Sequence, residues 1–174
     1  MIYFVIIAFI VTLFLKRNPF SFIRNISFEW PLLIVLSFAI QIFLSFYSSA
    51  TRDKLEWIFI LTFIGVIIGL WKNRHYSGVK WILAGAVLNL AALVLHGGVM
   101  PVDAHALQMT GQENAVFETD ARHTLMENSL FWIVGDWIPV IRYVMSPGDI
   151  FVGIGIFLMI VCNSGPGVKY GEAA

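Results

Sequence analysis

Five stretches of this chain are almost free of charge: Ile2–Leu15, Pro31–Tyr47, Leu55–Trp71, Val79–Leu95 and Ile150–Cys162. Glu56 and Lys80, each second in its stretch, are the only ionisable Asp, Glu, Lys or Arg among them. The runs are continuously apolar and do not alternate, so they read as helices and not as half-buried strands. A bilayer core admits only helices and closed barrels, because backbone groups there have no water to bond to. A span needs about 20 apolar residues. The first and last runs are short for that, and the last is expected to extend at one or both ends.

Composition narrows the choice further. Of 174 residues, 59% are hydrophobic and 13% charged, and the mean hydropathy is +0.81. Soluble domains carry about a quarter charged residues. A soluble domain of this size could not hide so much apolar surface. Eleven Lys and Arg balance eleven Asp and Glu, so there is no basic excess for nucleic acid. An ordinary soluble enzyme, a disordered tail and a nucleic-acid binder are excluded. The expected fold is all-α: one polytopic membrane helix bundle of about five transmembrane helices, with a long extracytoplasmic segment, Gly97–Gly148, between the last two. The lone Cys162 excludes an internal disulfide and reads as a small packing residue. The first run lacks a preceding positive charge and a small-residue cleavage site, so it is read as a retained helix and not a signal peptide.

Tryptophan and basic residues mark the borders. Trp30, Trp57, Trp71 and Trp81 fall at the ends of expected spans, and Trp132 and Trp137 in an apolar stretch of the long loop. Such placement suits an interfacial belt. Lys16, Arg17, Arg24, Lys72, Arg74, Lys80 and Lys169 fall on one side, and Arg52, Lys54, Arg122 and Arg142 on the other. The seven-to-four imbalance puts the N-terminus outside and the C-terminus in the cytoplasm.

The long segment holds the residues with chemistry. It begins His96-Gly97-Gly98-Val99-Met100-Pro101-Val102, where paired glycines suit a helix end and Pro101 stops continuation. Its polar middle, Asp103–Asn128, is read as partly helical. Ser129–Met145 is apolar but broken by Gly135, Asp136 and Pro139, so it is expected to lie in the interface or dip inward as a re-entrant piece. Ser146-Pro147-Gly148-Asp149 reads as a helix start. Asp136 and Asp149 each follow a glycine, thirteen residues apart. Each alone reads as a cap or turn residue. A hairpin-like return would bring both to one spot, where two close carboxylates activate water as a pair. His96, Asp103, His105 and His123 are of metal-binding types, yet none pair at helix-face spacing, so no metal and no cofactor is expected. With Gly97, Gly98, Met100 and Pro101 they form the expected ligand- or partner-binding segment. Asn89 and Gln41 are read as hydrogen bonds between helices, and Gly65/Gly69, Gly85 and Gly153/Gly155 as helix-packing positions.

Gly97-Gly98-Val99-Met100-Pro101-Val102, Gly135-Asp136-Trp137-Ile138-Pro139 and Ser146-Pro147-Gly148-Asp149-Ile150 with Gly153-Ile154-Gly155 resemble a bacterial family of small integral-membrane proteins of unassigned function. That resemblance implies the bacterial plasma membrane and no particular reaction. Gly97-Gly98, Asp136, Asp149 and Gly153 also resemble, in order, features of lipoprotein signal peptidase (signal peptidase II), a membrane aspartyl protease. This second resemblance implies Asp136 and Asp149 as a catalytic dyad. Where that family has an asparagine and then an aspartate-arginine pair, Met100-Pro101-Val102-Asp103-Ala104-His105 stands here. The expected function is a non-catalytic accessory, assembly or ligand/partner-binding membrane subunit. Its partners are the bilayer and a membrane protein or second copy. The alternatives are an intramembrane aspartyl hydrolase and a small transporter subunit, the latter opposed by uncharged span interiors.

Overall fold

A computed structural model describes residues 1–51, 55–112, 123–126 and 131–166. It is mostly helical. Five long helices dominate: α1 Ile2–Phe14, α3 Pro31–Thr51, α4 Glu56–Lys72, α5 Val79–Leu95 and α7 Pro147–Asn163. Short helices α2 (Ser21–Asn25) and α6 (Ala104–Met109) lie between them. Each of the five apolar runs is a helix; α5 keeps the expected bounds, the last run extends at both ends as expected, and the others shift by one to four residues. Helix α3 runs on to Thr51, and α7 starts at Pro147, three residues before the apolar run. Pro147 is its first helical residue, where a missing N–H costs nothing.

One helix among the described residues is long and apolar enough to cross a membrane, over Pro31–Ser48. Helices Ile2–Phe14, Val79–Leu95 and Pro147–Asn163 are apolar but shorter. A 17-residue helix such as α5 is about 25 Å long, against about 30 Å of hydrocarbon. Among the described residues, only Pro31–Ser48 thus has the length and composition of a full span.

The all-α expectation also needs correction in the long segment. Four three-residue strands form there: β1 Met100–Val102, β2 His123–Leu125, β3 Ile138–Val140 and β4 Tyr143–Met145. Strands β1 and β2 pair in parallel, Met100 opposite His123. Strands β3 and β4 form a hairpin, Ile138 opposite Met145, turned at Ile141 with φ of 54°. The broken stretch before α7 is thus a 3-10 turn, Trp132–Val134, followed by a hairpin. Arg52, Lys54, Arg122 and Lys169, used in the charge count, lie outside the described residues.

The helices pack in the order α1, α7, α5, α4, α3, which is not their order in the chain. Helices α5 and α7 approach closest, antiparallel, through paired glycines. Gly85 lies against the backbone of Gly148, and Gly155 against that of Gly78. A Cβ on Gly155 would sit 2.6 Å from the Ile82 nitrogen and 2.7 Å from the Gly78 oxygen. Glycines seven residues apart on both helices make a seam that no larger residue fits. Val66, Leu70, Val79 and Ala86 form the core beside it, with Ile82 and Met159 packed on them.

The two ends of the bundle differ. At one end the Asn73 amide, fully buried, accepts from the Glu29 N–H (2.7 Å) and donates to the carbonyls of Glu29 (2.8 Å) and Gly69 (2.7 Å). Asn25 donates to the Asn163 carbonyl at 2.9 Å, tying α2 to the end of α7. The other end carries the strands. The outer faces of the helices stay apolar and open, with Phe14 83%, Trp57 77% and Phe46 74% exposed.

Candidate functional site

The site grows from the start of α7. Ser146 is its N-cap: the Ser146 hydroxyl accepts from the Asp149 N–H at 3.0 Å, and Asp149 Oδ2 accepts from the Ser146 N–H at 3.3 Å. This reciprocal capping satisfies two backbone donors left over at a helix start. Asn89 reaches the same cap from the middle of α5. Its Nδ2 donates to Asp149 Oδ1 at 3.1 Å, and its Oδ1 accepts from the Ser146 hydroxyl at 2.9 Å. The glycine at 148 makes this possible, since Asn89 occupies the space a side chain there would need. Asn89, Ser146 and Asp149 are thus a closed polar network between two helices.

The second half of the site is built by β1. Helix α5 ends at His96, and Gly97 (φ 67°) and Gly98 (φ 94°) reverse the chain. The Gly98 N–H bonds back to the Leu93 carbonyl at 2.7 Å, the long bond of a Schellman-type stop. Gly98 lies directly against Glu56 at the start of α4. Strand β1 follows, buried throughout. On one side it carries β2. On the other it holds Asp136 through two backbone bonds of 2.8 Å, Asp136 N–H to the Pro101 carbonyl and Asp103 N–H to the Asp136 carbonyl. Asp136 is 5% exposed, and its Oδ2 lies 3.7 Å from His123 Nε2.

The two halves face one cavity of about 100 Å³, lined by Phe63, Asn89, Leu93, Met100, His123, Asp136 and Asp149. That is room for a few waters. The hairpin β3–β4 lies between Asp136 and Asp149. A larger apolar groove of about 620 Å³ adjoins it, sharing Phe63, Asn89 and Asp149. Helices α1 and α3 sit at the two ends of the packing order, and residues of both line the groove. Met1 and Ile2 line one side, Phe38 and Gln41 the other, and Val152 and Ile156 of α7 the floor.

Of the expected site residues, Met100, His123, Asp136 and Asp149 share the cavity. Pro101 and Asp103 act through their backbones, and Asp103 also caps α6 by accepting from the Ala106 N–H at 2.7 Å. His96 Nδ1 is 2.8 Å from the Ala92 carbonyl, a helix-end contact. His105 is exposed on α6, and Gly97 is a turn residue. Among the described residues no three His, Cys, Asp or Glu side chains come close enough to hold a metal. Arg122, one expected partner for the aspartates, lies outside the described residues. Arg142 is exposed, and its carbonyl accepts from Gln112 Nε2 at 2.9 Å. Phe63 and Leu93 were not foreseen, since an apolar residue in an apolar run carries no mark of facing a cavity. The site offers a buried carboxylate beside an imidazole, and a second carboxylate held by an amide and a cap.

Residues 25–161 match the family described as "Family of unknown function (DUF5317)". A Thermotoga maritima protein named "Uncharacterized protein" is 34% identical over 107 residues, which are 58% of this chain and 61% of that relative. The chain thus spans somewhat under two thirds of the relative's length. No solved structure matches.

Proposed function

Since the chain belongs to the DUF5317 family of unknown function, whose description carries no reaction, we propose a role from the geometry alone. The protein is an integral membrane protein that binds an amphiphile drawn from the bilayer. The apolar tail occupies the groove between α1 and α3, and the polar head meets Asn89, Asp149, Asp136 and His123. The supporting observation is that the apolar groove of about 620 Å³ and the polar cavity of about 100 Å³ share Phe63, Asn89 and Asp149 in their linings. A transmembrane helix fits this space poorly. One turn of helix fills roughly 400 Å³, whereas pockets for small molecules run about 300–1,000 Å³.

Membrane residence is supported by the open apolar faces and by tryptophans at the helix ends. In this reading all five long helices span the bacterial plasma membrane. The 13- and 17-residue members do so by local thinning and by flanking Lys and Arg reaching outward. The end carrying Lys16, Arg17, Arg24, Lys72, Arg74 and Lys80 faces the cytoplasm, and the polar site faces outward. The role is non-catalytic, that of a ligand-binding or accessory subunit.

The test is native mass spectrometry of the protein purified in mild detergent. A bound amphiphile is expected on the wild type. It is lost in Ile156→Trp, which fills the groove floor without touching the polar network. Equal retention by both proteins overturns the proposal.

A second reading has one observation in its favour: Asp136 and Asp149 line the same cavity. That is the arrangement an aspartyl hydrolase needs. Against it, both Asp149 oxygens already accept hydrogen bonds, from Asn89 and Ser146. Asp136→Asn and Asp149→Asn separate the two. The hydrolase reading requires each substitution to stop turnover of the co-purifying amphiphile. The binding reading predicts no turnover in the wild type.

A further inference from the structure

The basic end of the bundle holds a second depression, of about 530 Å³, lined by Glu29, Lys72, Arg74, His75 and Lys80. It is far from the polar cavity, at the opposite ends of α4 and α5. Its walls are held in place. Asn73 staples the backbone of Glu29 to the end of α4, as described above. Tyr76 does the same one step earlier: its hydroxyl accepts from the Ser27 N–H at 3.1 Å and donates to the Ser27 carbonyl at 2.8 Å. Lys72, Arg74, Lys80 and one carboxylate, Glu29, line a depression whose backbone is held in place.

Two of these cations lie over exposed aromatic rings. Lys72 Nζ lies 5.1 Å from the centre of the Trp30 ring, and the Arg74 guanidinium 4.7 Å from that of Trp71. The Arg74 side chain also donates to the Trp71 carbonyl at 2.8 Å. Among the described residues, none of the three cations is in an ion pair. Leu32, two residues after Trp30, is 72% exposed on α3, and Ile68, one helical turn before Lys72, is 44% exposed on α4.

We propose that this depression binds the phosphate of an anionic phospholipid, whose chains lie along the exposed faces of α3 and α4. Phosphate is matched by the guanidinium fork of Arg74 and the ammonium groups of Lys72 and Lys80. The two tryptophans lie at headgroup level, where indole rings settle. A soluble anion would gain nothing from the apolar shelf; a lipid gains on both counts. The proposal rests on the membrane reading but not on the groove.

The experiment uses detergent-purified full chain, titrated with phosphatidylglycerol or phosphatidylcholine and read by native mass spectrometry. Phosphatidylglycerol is expected to bind more tightly. Each cation near a membrane surface contributes about fivefold in affinity, so Arg74→Gln and Lys80→Gln each weaken binding about fivefold and together about twenty-five-fold. Glu29→Gln strengthens it. All three positions are exposed, so the fold survives, and Ile156→Trp leaves this binding unchanged. Equal affinity for the two lipids, or indifference to the glutamine variants, overturns the proposal. So does stabilisation by inorganic phosphate equal to that by the lipid, which assigns the pocket to a soluble anion. Failure of the protein to partition into the detergent phase overturns the membrane reading itself.

Discussion

Replacing Asn89 by alanine removes both bonds that join α5 to the cap of α7. Asp149 Oδ1 loses a donor at 3.1 Å, and the Ser146 hydroxyl loses an acceptor at 2.9 Å. A bond to a charged group is worth about 1.5–3 kcal/mol and a neutral one about 0.5–1.5. Bonds between helices in a membrane average nearer 0.6 kcal/mol, with about 1.7 the maximum. The capping box itself remains, since Ser146 and Asp149 still bond each other. The net loss is then about 1–3 kcal/mol. For a chain of this size 1 kcal/mol shifts Tm by about 2–4 °C, so Asn89→Ala should lower Tm by roughly 3–10 °C. Asn89→Asp should lower it further, because it sets a second carboxylate against Asp149 and removes the donor. Tryptophan fluorescence on heating in detergent reads both. A Tm within about 1 °C of wild type for both variants refutes the network as a link between the helices.

Three further outcomes follow from the same geometry. Gly155→Ala places a methyl against the backbone of Gly78 and Ile82 and costs about 1–3 kcal/mol by overpacking, seen as a lower Tm and less folded protein in gel filtration. Ser146→Ala removes the N-cap acceptor and the donor to Asn89, a loss of about 1–2 kcal/mol, read in the same melting assay. Asp136→Asn keeps the backbone bonds to Pro101 and Asp103 but withdraws the charge beside His123. It should weaken amphiphile retention while moving Tm little, and native mass spectrometry with a melt separates the two effects.

Much of the helical frame was legible because an apolar run without charge has few other uses. The limits of α5 agree with the run Val79–Leu95, where Gly78 and the glycines at 97 and 98 bracket it. Ser146, Pro147 and Asp149 announced the start of α7, although the apolar run begins only at Ile150. The broken stretch Ser129–Met145 reads as an interfacial or re-entrant piece, and a hairpin return is only one of the paths its spacing allows, so its strands carry no signal. Three-residue strands are too short to display alternation. The parallel pairing of Met100 with His123 spans more than twenty residues, and nothing local specifies it. The meeting of His123 with Asp136 depends on that pairing, so it too was hidden. The groove was hidden for a different reason. Its helical lining comes from α1, α3, α4, α5 and α7, and the packing order puts α7 between α1 and α5. Helix order in space follows from the glycine seam of α5 and α7, whose partners cannot be matched before the helices are placed.

In the proposed function, the groove lined by α1 and α3 receives an amphiphile from the bilayer. Photocrosslinking tests it most directly: the protein is reconstituted with a phospholipid carrying a diazirine on its acyl chain, irradiated, digested and mapped. Labels are expected on Phe63, Val152 and Ile156, which line the groove, besides those on the outer faces, and the groove labels are lost in Ile156→Trp. Labels confined to outward residues such as Phe14, Phe46 and Trp57 would contradict it.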